Sequence, residues 1–373
     1  MAESWQSKPT DQAAAETAGR YRSVRISATV VVVLAVAVQA ALVGTLPVLA
    51  VGAVLGAALW LWRFGFGGGW RRWQQGRDPT GIGTQALVVL VSLILTAPAL
   101  ALAEGQGWAL EGAWAPIGPV MLIGAFVFGI GMQLGGGCGS GVLWLVGSGD
   151  RRLLATFAGF LLGSFWGVPG LAWWEALLPS APPVVLGAWI GWTPAIIAQA
   201  AILAAIWWRC GAPGGPAWRL AGVVGLGTLA LLLLTGRPWS VTWGFVVWSG
   251  QIASALGWQA SADPLWRDLA AMLAEPLLHH PITASDAGVI IGAALASTMV
   301  GRPSDPPPRH LLPWLAALLG GIAMGYGARL AGGCTIGAVL SGIASTSVHG
   351  WLWLPAGWLG SQVGVWLRPA FRL

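Results

Sequence analysis

Two short stretches of this sequence set a cysteine among glycines: Gly136-Gly137-Cys138-Gly139-Ser140-Gly141 and Ala331-Gly332-Gly333-Cys334-Thr335-Ile336-Gly337. Each glycine costs about 1 kcal/mol in a helix interior, so neither stretch is the middle of a good helix. Both lie in apolar surroundings, where non-helical backbone is tolerated only against protein or a polar cavity. A helix that breaks there and restarts aims free backbone N–H groups, at the positive end of its dipole, toward the break. Two such breaks make a small anion site that needs no buried Lys or Arg. The thiol adds a weak S–H donor and a polarizable sulfur. That suits an anion with a terminal sulfur or selenium better than a hard oxyanion. The residues in question are Cys138 and Cys334, with Gly136, Gly137, Gly139, Ser140, Gly332, Gly333 and Thr335. Arg329, five residues before Cys334, either attracts the anion or snorkels to the interface.

A lone cysteine in an apolar helix is ordinarily a small hydrophobe, and spaced glycines are ordinarily packing. Duplication of the whole context argues otherwise. Residues 124–141 match 320–337 at a constant offset, with eight identical positions: Gly124, Gly129, Gly131, Leu134, Gly136, Gly137, Cys138 and Gly141 against their mates. Downstream, Gly163-Ser-Phe-Trp-Gly167 matches Gly360-Ser-Gln-Val-Gly364, and upstream Gly65-Phe66 is echoed by Gly244-Phe245. Gln133 is the mate of Arg329. Cys210 has no mate, borders a loop expected to be cytoplasmic and reads as an ordinary small hydrophobe. His279 and His280 read as solvated loop residues, and His349 as an interfacial residue at the start of the last span.

The elements that must hold these motifs are membrane helices. Charged residues are 9% of the chain against 56% hydrophobic. A soluble domain carries roughly 25% charged residues. Mean hydropathy is +0.72. The 26 Trp suit lipid–water interfaces, and the 56 Gly suit close helix packing. Ten apolar spans are predicted, at 26–45, 47–62, 84–102, 117–134, 153–170, 187–208, 217–234, 286–301, 311–329 and 350–367. With a cytoplasmic N-terminus and strict alternation, 16 of the 19 Lys and Arg fall inside, all but Arg237, Arg267 and Arg329. Both termini are then cytoplasmic, in a bacterial inner membrane. Phe64–Trp70 and Trp243–Trp248 are too short to cross and read as re-entrant elements.

The fold expected is therefore all-α and polytopic, with two inverted repeats whose broken helices meet at the membrane midplane. Its units are a tail with an extra helix at 1–46, a first repeat at 47–170, a connecting helix at 171–216, and a second repeat at 217–373. Inverted repeats are a signature of transporters.

The paired Gly-Gly-Cys motifs, the inverted duplication and the Phe64-Gly65-Phe66 element resemble the YeeE/YedE family of sulfur transporters, over nearly all of the chain after residue 47. That family is associated with thiosulfate uptake or, in its YedE branch, with selenium metabolism. The resemblance implies that Cys138 and Cys334 line the permeation path and hand a small sulfur- or selenium-containing anion along by sulfur-centred hydrogen bonds. It also allows a small cytoplasmic sulfur-carrier protein as a partner beside the lipid bilayer. The family's thiosulfate transporters use a third cysteine near the outer or the first re-entrant element; here Gly65 and Gly244 stand in the nearest positions, a departure that bears on thiosulfate itself more than on transport.

Other classes fit less well. A membrane thiol–disulfide oxidoreductase calls for C-x-x-C or a quinone site, and the sequence has neither signature. Without Walker motifs the chain carries no ATPase signature, and no cofactor or metal-ligand spacing stands out. With Lys8 as the sole lysine and no basic stripe, nucleic acid is not a partner.

Overall fold

The computed structural model describes residues 29–211, 214–301 and 306–373. Among these the chain is helical, with two isolated β-bridges, Ile117 to Ala181 and Val185 to Ser347. A short apolar helix α1 (Thr29–Leu42) leads into α2 (Leu46–Leu61), α3 (Phe66–Gly76), α4 (Thr80–Gln106), α5 (Pro119–Gly135), α6 (Gly139–Gly147) and α7 (Arg151–Leu177). The short α8 (Leu186–Ile190) and the longer α9 (Trp192–Cys210) follow, then α10 (Gly214–Thr235), α11 (Thr242–Ala255), α12 (Ala270–Ala274), α13 (Pro281–Val300) and α14 (Leu311–Leu330). The last two are α15 (Thr335–Ala344), which opens with a π-helical stretch at Thr335–Ser341, and α16 (Val348–Leu367).

Among the described residues, eight helical stretches are long and apolar enough to cross a membrane. They correspond to eight of the ten predicted spans. Residues 26–28 of the first predicted span lie outside the described residues, and its remainder is the short α1. Helix α16 forms as predicted, over Val348–Leu367. The span predicted over 187–208 breaks at Gly191, whose φ of +87° few other residues adopt, so it becomes α8 and α9. Another predicted span, 286–301, starts earlier, at Pro281.

The two repeats are related by a twofold operation, and their packing shows it. A Cβ on Gly129 of α5 would land on the carbonyl oxygen of Gly357 in α16; its mate Gly325 in α14 would land on that of Phe160 in α7. At the crossing of α5 and α14 the reciprocity is closer still. Gly124 faces the Gly327 carbonyl and the Ala331 nitrogen, while Gly320 faces the Gly131 carbonyl and the Gly135 nitrogen. The start of each helix meets the end of the other, so repeat mates run antiparallel. A twofold axis relating antiparallel membrane helices lies in the membrane plane, and the repeats are inverted.

The re-entrant elements also form. Helix α2 runs beside α13, from Thr45, which donates to the Leu278 carbonyl, to Trp60, packed with Ala293 and Ala296. The chain then turns back at Trp62–Gly65 and α3 starts at depth, where the Gln85 amide donates to the carbonyls of Gly65 and Phe66. It leaves by the end at which α2 left, with Gly69 against Gly81 near the start of α4. Helix α11 does the same from the other side, starting at Thr242 near the centre and packing its later residues, Val246 and Val247, against Trp266 and Leu273.

Candidate permeation site

Each Gly-Gly-Cys motif is a helix break whose loose carbonyls are satisfied from one neighbouring helix. Helix α5 stops at Gly136, which has φ +88°; α14 stops before Gly332 and Gly333, at +65° and +141°. Arg152 donates to the Leu134 carbonyl (2.9 Å) and Thr156 to that of Gly135 (2.9 Å). Their repeat mates do the same work with different chemistry: a ring nitrogen of His349 pairs with the Ala331 carbonyl (3.0 Å), and Trp353 donates to that of Gly333 (3.2 Å). His349 is thus 1% exposed and locks the second break, which corrects its expected place at the interface. A histidine just before Gly350 looks from sequence like a span end; its acceptor lies across the fold.

Beyond each break the chain restarts as a helix with the cysteine at its N-cap. Cys138 and Cys334 are extended, buried and reduced. The first backbone bonds inside the new helices are Val142 to Cys138 and Ala338 to Cys334, leaving the N–H groups of Gly139, Ser140, Gly141 and Thr335 pointing toward the break. The Ile336 N–H donates to Cys334 Sγ at 3.4 Å, and Ser140 Oγ lies 3.7 Å from Cys138 Sγ. Thr335 Oγ1 is buried without a hydrogen-bond partner.

The two breaks meet. A Cβ on Gly139, the residue after Cys138, would stand 2.9 Å from Cys334 Sγ and 3.8 Å from a Thr242 methyl, the first residue of α11. A Cβ on Gly65, which precedes α3, would stand 3.8 Å from Cys138 Sγ. Four helices, α3, α6, α11 and α15, therefore begin around the two thiols. Each N-terminus carries roughly half a positive charge.

A cavity opens on each side of this cluster. The larger, about 640 Å³, is lined by Arg237, Thr242, Arg329, Gly332, Gly333 and Gly337 among others. The smaller, about 170 Å³, includes Arg63, Phe64, Gly65, Arg72, Thr80 and Ala217. Helix α10 runs from Ala217 in the smaller to Leu231 and Thr235 in the larger, so they lie at opposite ends of the bundle. Each holds two arginines. Arg329 stacks over Trp243 at 4.5 Å, with its Nε buried and unpartnered, while Arg237 pairs with Glu111.

The structure thus gathers Cys138, Cys334, Gly139, Ser140 and Thr335 at one point, places Gly136 and Gly137 in the first break and Gly332 and Gly333 between Cys334 and the larger cavity, and sets Arg329 in that cavity's wall. Gln133 is structural, donating to Gly67 and Ser361. Cys210 ends α9, away from the cluster. One polar group near the cluster escaped the sequence reading. Asp286 is 0% exposed, inside α13, and neither carboxyl oxygen has a hydrogen-bond partner. The match of Thr84-Gln85-Ala86 with Ser285-Asp286-Ala287 was the available signal.

The chain is similar to known transport proteins. The chain is 28% identical over 261 residues to the thiosulfate transporter TsuA of Spirochaeta thermophila, covering 62% of this chain and 72% of that protein. It is 32% identical to the probable transporter YedE of Escherichia coli over 38% of this chain, and to that of Salmonella typhimurium over a similar share; it spans about a third (35%) of each YedE protein. A family model described as sulphur transport matches twice, over residues 63–213 and 212–363. With both halves matched and both built around the same helix break, the chain belongs to the sulphur transport family and is a multi-pass membrane transporter.

Proposed function

We propose that this protein carries thiosulfate, or a closely similar sulfur-terminated anion, inward across a bacterial inner membrane without altering it chemically. The larger cavity faces outward and the smaller one the cytoplasm, since Arg63, Arg71, Arg72, Arg151, Arg152, Arg209 and Arg219 all fall on the smaller cavity's side. Units at 1–46, 47–170, 171–216 and 217–373 make up the carrier, the second and fourth forming its two halves. Arg329 draws the anion in, and Gly332 and Gly333 leave room for it to reach Cys334.

The observation that carries this reading is the convergence of four helix N-termini on two reduced thiols between two arginine-bearing cavities. Four half-charges sum to at most about two positive charges, a match for a dianion, with no fixed cation to trap it. The thiols donate weak hydrogen bonds to the terminal sulfur, so the anion moves from Cys334 past Gly139 to Cys138 without a deep well. Gly65 leaves the exit beside Cys138 open, and a small sulfur-carrier protein on the Arg63 face would collect the product.

Uptake of labelled thiosulfate, sulfite, sulfate and selenite into vesicles tests this. Thiosulfate uptake is expected, reduced at least about tenfold in Cys138→Ala and in Cys334→Ala and nearly unaffected in Cys210→Ala. Normal uptake in both of the first two variants would sink the thiol relay. Preference for selenite would move the reading to a selenium carrier.

A further inference from the structure

Asp286 has no evident structural employment. It sits in α13 beside Gly244, near the start of α11, with the Ile282 side chain on the same side. Its neighbour Ser285 lines the larger cavity, and Thr242, two residues before Gly244, stands with Cys334 Sγ around Gly139. The helices packed most extensively against α13 are α2, α6 and α11, and none of them carries a Lys, Arg, His, Asp or Glu. On α13 it is the sole charged side chain; His280, the N-cap six residues earlier, accepts from the Ile282 N–H. Arg237 and Arg329 in the cavity wall make no ion pair with it. A bare carboxylate in such a place costs several kcal/mol or more, so its presence asks for a function.

Its repeat mate sharpens the point. Gln85, in the equivalent part of α4, donates to the carbonyls of Gly65 and Phe66 and accepts from Trp70 Nε1. The position at the start of a re-entrant helix is therefore held, in the first repeat, by a neutral amide with every bond made. The second repeat has a group that can gain and lose a proton, held by nothing.

We propose that Asp286 is the proton carrier that makes this protein a proton–anion symporter, an assignment that rests on the transport reading above. With a charge on Asp286, an anion at Cys334 meets a like charge across a low-dielectric gap. With a proton on it, that repulsion is gone. Each ligand thus favours the other, and by reciprocity a bound anion holds the proton. A hydronium ion in the outer cavity breaks one of its O–H bonds to give up the proton, which forms an O–H bond on the carboxyl. That bond breaks again when water reaches the site from the cytoplasmic side, and the proton leaves with the anion. No other bond changes. A sodium ion would serve worse, since it needs several oxygen ligands and no second carboxylate stands on the packed helices.

The test uses the full chain in proteoliposomes holding pyranine, with the membrane potential clamped at zero and thiosulfate as the probe. One proton per anion predicts about tenfold accumulation for an inward gradient of one pH unit, together with thiosulfate-triggered acidification of the lumen. Asp286→Asn is expected to lose both the accumulation and the acidification while still exchanging labelled for unlabelled thiosulfate at a measurable rate. Asp286→Glu is expected to keep all three. Asp286→Ser, small and neutral like Ser285, replaces the Asn variant if that one misfolds. Gradient-driven accumulation that survives in the neutral variants would overturn the proposal. So would a native protein that exchanges thiosulfate but ignores the pH gradient or answers to a sodium gradient instead, and so would loss of exchange in the neutral variants. A native protein without any thiosulfate exchange would overturn the transport reading itself, and this one with it.

Discussion

Cys138 and Cys334 begin adjacent helices, and Cys334 Sγ already accepts the Ile336 N–H. A sulfur held in that way keeps its own proton free to donate toward the path, which predicts a graded response to substitution. Serine retains a donor of harder character, so Cys138→Ser and Cys334→Ser should each keep more initial uptake than the Ala variants, by roughly threefold or more. A disulfide cycle would leave Ser and Ala equally inactive, because neither forms the bond. Reductant separates the cases again: uptake by native protein should be indifferent to it. Equal loss in Ser and Ala, joined to inhibition by reductant, would favour redox chemistry. Arg329 makes a different prediction, because it stands in the cavity wall, stacked on Trp243. Arg329→Gln should raise the KM for thiosulfate about tenfold, near 1.4 kcal/mol, with a smaller change in maximal rate. Arg329→Lys should recover part of that loss, and rising salt should narrow the difference. An unchanged KM would leave Arg329 as a packing residue.

At the scale of the helix, the breaks stand because specific side chains close their ends. His349 is the case to test, since its ring pairs with the Ala331 carbonyl while Arg152 and Thr156 close the other break. His349→Ala strands a buried carbonyl, at a cost of about 1–3 kcal/mol. The expected result is a lower Tm in detergent and slower uptake, with His349→Gln recovering part of both; an unchanged Tm would show that the break holds itself. The two breaks were legible because glycine clusters are conspicuous in apolar runs, and the inversion was legible because arginines sort by side. The closing residues were not. Arg152 lies 18 residues beyond Leu134, as His349 lies 18 beyond Ala331, and no local pattern ties either to its acceptor. Asp286 escaped for a related reason. An apolar count begins the span at that residue, which puts it at a boundary, whereas Pro281 and the His280 cap start the helix five residues earlier and bury it. A cap is a local signal that hydropathy does not register.

For the molecule as a whole, the inverted repeat gives two nearly equivalent faces, and charge decides which one meets the cytoplasm. The end of the bundle that holds the smaller cavity carries Arg63, Arg71, Arg72, Arg77, Arg151, Arg152, Arg209 and Arg219; the other end carries Glu104, Glu111, Glu175, Asp263, Asp268 and Glu275, with Arg237 and Arg267. Positive residues stay on the cytoplasmic side during insertion, which is why the function proposed above makes the smaller cavity the exit. Helix α4 offers a direct check, because its 27 residues run about 40 Å from one face to the other. Gln75 and Trp108 flank its two ends and are both exposed. In a Cys210→Ser background the remaining native thiols, Cys138 and Cys334, are buried, so a membrane-impermeant maleimide should find little to react with. Trp108→Cys should then label in intact cells. Gln75→Cys should label only after the membrane is opened. The reverse pattern would turn the protein over, making the smaller cavity the entrance and reversing the order in which an anion meets Cys138 and Cys334. Labelling of both from outside would contradict the span itself. Because the substrate would then pass Gly65 before it reached either arginine of the larger cavity, the reversed orientation also predicts that Arg329→Gln slows release without changing the KM for entry. The two measurements, one of labelling and one of rate, must agree.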